Sequence, residues 1–87
     1  MDPLDLFGRV KWAITPPPGE SSVEDQILLM RSRGLPIEWS TRDDGTVDVT
    51  TKRPFAGIVK LMITQCLQST YPGYGIVECD STAPPNR

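Results

Sequence analysis

An α+β domain built on a four-stranded antiparallel sheet is the fold class this sequence predicts, and three observations carry the expectation. Four short segments alternate apolar and polar residues with the period of a half-buried strand. Two longer segments repeat apolar residues every three or four positions, as a helix does, and turns rich in Gly, Pro and Asp separate the six. Their order along the chain is strand, helix, strand, strand, helix, strand.

Residues 1–7 form a short acidic and apolar leader. From Gly8 to Ile14, Val10, Trp12 and Ile14 fall on one face of a first strand. Pro16, Pro17 and Pro18 end it, because proline offers no ladder donor. Ser21 and Glu24 then have capping-box spacing, and Glu24 and Asp25 suit the positive end of a helix dipole. The first helix carries Val23, Ile27 and Met30 as its stripe. Arg31 and Arg33 complement its carbonyl end, Gly34 supplies a left-handed stop, and Pro36 prevents continuation. A second strand alternates Ile37, Trp39 and Thr41 with Glu38, Ser40 and Arg42. Asp43, Asp44 and Gly45 make a hairpin turn into a third strand, Thr46 to Lys52, with Val47 and Val49 inward. The second helix spans Pro54 to Ser69, with Phe55, Ile58, Val59, Met62, Ile63 and Cys66 expected on one stripe. Tyr71, Pro72 and Gly73 close it, and a fourth strand follows from Tyr74 to Cys79.

Short connections and right-handed crossovers resolve this βαββαβ order most simply into a two-layer sandwich with strand order 4-1-3-2 and both helices on one face, the ferredoxin-like arrangement. The expected organisation is one domain over residues 8–80 and a polar, disordered tail over 81–87. The period-two rule then assigns faces. Val10, Trp12, Ile14, Ile37, Trp39, Val47, Val49, Val77 and Cys79 point toward the helices. Tyr74, Ile76, Glu78, Arg9, Lys11, Ala13, Thr46, Asp48, Thr50, Glu38, Ser40 and Arg42 point away.

Composition narrows the function classes. The 87 residues include no histidine and only two cysteines, Cys66 and Cys79, both read as small core residues, so a histidine-activated nucleophile and a zinc site lack their ligands and bases. No cofactor is expected. A formal charge of −2 argues against general affinity for polyanions, and the open face would show Arg9 and Lys11 without aromatics on its central strands for base stacking. No apolar run approaches membrane-spanning length, and the acidic leader lacks the basic start of a signal peptide. The expected location is therefore intracellular and cytoplasmic.

These exclusions leave a non-enzymatic protein-protein interaction module: an adaptor, a regulator, or a viral or phage accessory protein. The expected contacts are a sheet edge, where Tyr74 and Ile76 would supply an apolar centre and a second copy could pair, and the basic start of the second helix, Lys52, Arg53 and Lys60. Lysines near a helix N-terminus oppose its dipole, which points to an acidic partner rather than helix stability. The alternative is nucleic-acid binding by Arg9, Lys11, Lys52, Arg53 and Lys60.

Overall fold

The computed structural model describes residues 8–79, so the leader over 1–7 and the tail over 81–87 lie outside the described residues. The described chain runs β1 (Arg9–Thr15), α1 (Glu24–Ser32), β2 (Glu38–Thr41), β3 (Val47–Lys52), a 3-10 turn (Arg53–Phe55), α2 (Ala56–Thr70) and β4 (Gly75–Cys79). This is an α+β fold with one sheet of order β2-β3-β1-β4, in which every neighbouring pair is antiparallel.

The alternation in β1 becomes alternating burial. Val10, Trp12 and Ile14 are buried and join Val47 and Val49 of β3, Val23, Ile27 and Met30, and Val59, Ile63 and Leu67 of α2 in one core cluster. Each such side chain contributes roughly 1.5–3 kcal/mol by leaving water. The two tryptophans differ in their polar atoms. Trp39, half-buried at the β2 edge, donates its Nε1–H to Glu24 Oε2 at 3.2 Å, whereas buried Trp12 finds no acceptor for its own among the described residues.

The hairpin expected at Asp43 to Gly45 forms as Asx-turn chemistry dictates. Arg42 N–H donates to the Thr46 carbonyl, and Thr46 N–H donates to Asp44 Oδ1. Gly45 has φ 92°, and a Cβ there would overlap the backbone carbonyl of Ser21. Two reasons therefore reserve that position for glycine.

Three expectations require correction. No capping box forms at Ser21: α1 starts at Glu24 with Val23 at the cap, because the Val23 side chain is drawn fully into the core. Ser22 Oγ accepts from Glu24 N–H instead, and the Glu24 carboxylate serves Trp39. The stripe of α2 is also rotated. Val59, Ile63 and Leu67 are buried, while Ile58 and Met62 are 55% and 44% exposed. The helix is apolar around most of its circumference, with Lys60 its only charge, so periodicity allows more than one arc. The third correction is β4, whose faces are inverted. Ile76 stands opposite buried Ile14 and packs against the core, whereas Val77 stands opposite Ala13 and Cys79 opposite Lys11. Val77 is consequently 63% exposed on the face away from the helices. Adjacent Ile76 and Val77 fit either register equally well, and a one-residue shift exchanges every side chain between faces.

Candidate functional site

The end of the sheet where α1 stops and α2 starts is organised by local chain chemistry. Gly34, at φ 100°, ends α1 with a Schellman closure in which Leu35 N–H donates to the Met30 carbonyl and Gly34 N–H to that of Arg31. Thr51 Oγ1 donates to the Pro36 carbonyl at 2.6 Å, which ties the connector to β3. Pro54 then starts the 3-10 turn. These constraints enclose a cleft of about 270 Å³ whose lining includes Arg9, Arg31, Lys52, Glu38, Leu35 and Phe55.

Of the residues expected to bind a partner, Arg9 and Lys52 are brought together here, opposite each other in the β1-β3 register. Arg53 lies alongside, its Nη2 donating to the Arg9 carbonyl at 3.4 Å. Arg9 Nη1 also lies 3.3 Å from Glu38 Oε1, but the side chains are 36% and 76% exposed, so solvent screens the pair and it has little energetic weight. Among the described residues, Arg9, Arg31, Lys52 and Glu38 are the charged residues lining the cleft. Arg31, whose role in the sequence is accounted for by the α1 dipole, is the contributor that sequence reasoning passed over. The signal was present: α1 ends in Arg31 and Arg33, α2 is preceded by Lys52 and Arg53, and antiparallel helices bring those ends together.

A second depression adjoins the first. A groove of about 160 Å³ between the helices is lined by Leu29, Met30, Met62, Cys66, Leu35 and Arg33. Leu35 lines both the groove and the cleft. Of the groove's lining, Leu29 and Met62 are 39% and 44% exposed, and elsewhere on the helices Leu28, Ile58 and Leu61 are also exposed. The groove is bridged at one point by Cys66 Sγ–H donating to Gln26 Oε1 at 3.2 Å, and the helices are tied beyond it by Tyr71 OH donating to Asp25 Oδ1 at 2.6 Å.

The uncovered face of the sheet is different in kind. Arg42 Nε and Nη2 donate to the two oxygens of Asp48 at 2.9 and 2.7 Å, and the Asp48 side chain is only 13% exposed. That bidentate bond holds the Asp48 carboxyl below its ordinary range and raises Arg42. Lys11 lies on this face, apart from the basic cleft, beside Asp48 and Glu38. Lys60 is exposed on α2 and does not line the cleft. Tyr74 and Ile76, expected to give the open face an apolar centre, are packed against the core instead. Tyr74 also precedes β4 rather than belonging to it, its N–H donating to the Tyr71 carbonyl.

The perturbed titrations are of one kind. Asp25 is lowered chiefly by the Tyr71 hydroxyl, Asp44 by the Thr46 backbone and Asp48 by Arg42, while the Tyr71 phenol is pushed up to about 12 by its bond to Asp25. These four shifts, like that of Arg42, move away from neutrality, opposite to the tuning of a general acid or base. Among the described residues no group of three or more Cys, Asp or Glu is placed to hold a metal ion, and no helix is long and apolar enough to cross a membrane. What the arrangement offers is a largely apolar groove and a cleft lined by Arg9, Arg31, Lys52 and Glu38, with Leu35 at the edge of both. Comparison of the chain with protein-family models, curated proteins and solved structures finds no match.

Proposed function

We propose that this protein is a non-enzymatic protein-protein interaction module, acting as an adaptor, regulator or viral or phage accessory protein inside the cell, on a ferredoxin-like βαββαβ sandwich. Support for the fold reading is the strand succession, which from the β4 edge runs β4-β1-β3-β2, together with one core shared by both helices. The observation that carries the functional reading is the set of large apolar side chains, Leu29, Ile58, Leu61 and Met62 foremost, exposed on the helical layer. A group of this kind on a small domain marks a surface that another protein covers. The open edges of β2 and β4 are secondary contacts through which a second copy would add a strand.

A photo-crosslinking amino acid replacing Met62, with Ser40 on the open sheet face as control, tests the reading in lysate of the source organism. Crosslinks to a defined protein from position 62 and none from position 40 are expected. Equal, diffuse labelling from both positions would sink it.

Nucleic-acid binding remains the alternative reading, favoured by the meeting of Arg9, Arg31 and Lys52 in one cleft. It predicts retention of single-stranded or duplex oligonucleotides that weakens steeply with salt. No retention at low salt would remove it.

A further inference from the structure

We propose that the groove between α1 and α2 is a binding site for a single copper(I) ion, held by three sulfur atoms: the Cys66 thiolate and the thioethers of Met62 and Met30. The proposal goes beyond the protein-binding reading and does not depend on it. Three observations carry it.

The first is where the sulfur lies. The chain has three methionines and two cysteines, and both methionines among the described residues, together with one of the cysteines, line this one groove of about 160 Å³. Leu29, Leu35 and Arg33 complete the lining.

The second is placement. Met62 and Cys66 stand one turn apart on α2, a spacing that puts Cβ atoms about 5–6 Å apart on one face. Gln26 and Met30 have the same spacing on α1. The bond from Cys66 Sγ–H to Gln26 Oε1 sets two of these turns level, and the bond from Tyr71 to Asp25 shows that α2 returns as α1 advances. Met30 therefore comes level with Met62, one turn along the groove from Cys66.

The third is access. Met30 is 7% exposed and Met62 44%, so the groove is closed beneath and open to an entering ion above.

Thiolate and thioether are the soft donors that select copper(I). Among the described residues no carboxylate lines the groove, and the chain has no histidine, so magnesium, calcium and zinc lack a ligand set there. On binding, the Cys66 S–H bond breaks, its proton passes to water, and a sulfur–copper bond forms in its place. Gln26 Oε1 then loses the hydrogen bond it accepts. The metal enters and stays as copper(I), so no electron is transferred. The thiolate and copper(I) together are neutral, and Arg33 at the groove does not oppose them.

Competition with bicinchoninate, whose copper(I) complex is coloured, tests this on the reduced full chain under anaerobic conditions. The protein is expected to withdraw one copper(I) per chain, to remain monomeric in light scattering, and to leave zinc(II) in solution. Silver(I), a diamagnetic stand-in that resists oxidation, should move the methyl carbon signals of Met30 and Met62. Met62→Leu and Met30→Leu keep side-chain volume, and Cys66→Ser removes the thiolate. Each should weaken copper binding by at least about tenfold, the loss that removing even an outer-shell partner causes. Met62→Leu should do so with the denaturation midpoint of the parent, because Met62 is half out of the core. Cys79→Ser should bind as the parent does, since Cys79 lies opposite Lys11 on the far face of the sheet.

No copper withdrawn, full affinity in Cys66→Ser or in both leucine variants, loss of affinity in Cys79→Ser, one copper shared by two chains, equal uptake of zinc(II), or unmoved methionine signals would each overturn the proposal. Crosslinking from position 62 is carried out without copper, so the interaction reading stands or falls separately.

Discussion

The uncovered face of the sheet and the outer surface of the helical layer both meet solvent, yet they satisfy their side chains in opposite ways. On the sheet, Arg42 closes on Asp48 with two hydrogen bonds and Arg9 approaches Glu38, so polar groups pair with one another within the face. On the helices, Ile58, Leu61 and Met62 of α2 and Leu28 and Leu29 of α1 remain exposed. Two of these exposed side chains, Ile58 and Met62, are ones that sequence periodicity assigned to the core.

This contrast can be broken most directly on α2 itself. Ile63→Ala, on the buried side, should cost about 3 kcal/mol through lost burial and a residual cavity, read by chemical denaturation. A cost close to zero would mean that the two sides of the helix have been confused. On the sheet face, Asp48→Asn should lower the denaturation midpoint by less than Ile63→Ala and should flatten the acid limb of the stability curve. The sign follows from the depressed pKa of Asp48 beside Arg42. An unfolded aspartate takes up its proton near pH ~3.9, whereas the folded one resists until lower pH, so the contribution is present above ~3.9 and disappears as pH falls through the folded value. An unchanged acid limb in the variant would show that the pair does not couple to folding.

Tyr71→Phe sharpens the comparison where the two helices are tied together. The Tyr71 pKa of about 12 exceeds the ordinary value near ~10, so its contribution is complete below pH ~10 and is lost as pH rises toward 12. The parent protein should lose stability more steeply than the variant across that window in alkaline denaturation curves. Superimposable slopes would dismiss the Asp25 bond. The smallest effect belongs to the exposed side of α2. Ile58→Lys should change stability by no more than about 0.5 kcal/mol, because little burial is lost, while reducing crosslinking from position 62. A large destabilisation would show that Ile58 is structural.

Legibility in the sequence followed physical strength of signal. The hairpin at Gly45 and the stop at Gly34 were readable because a positive φ leaves few alternatives to glycine. Val10, Trp12 and Ile14 were readable because polar residues separate them. Within the site, Lys52 and Arg53 were marked in advance, since cations at a helix start have no local electrostatic purpose, and Arg9 was marked by its place on the open face of the first strand. Arg31 was masked by a local purpose it does serve, and Leu29, Leu35 and Met62 were invisible as site residues because an exposed apolar side chain looks the same in sequence as a buried one.

By itself, the sequence determined the order and limits of the elements to within a few residues, the turn glycines, and the absence of histidine chemistry, all of which depend on neighbouring residues. Tertiary structure alone decided the register of β4, the arc of α2 that is buried, and the meeting of Arg9, Arg31 and Lys52 beside Leu35. Ile76 or Val77 inward, and Ile58 or Leu67 inward, are locally equivalent choices. The energy that separates them comes from packing against residues far away in the chain, Ile14 foremost for β4.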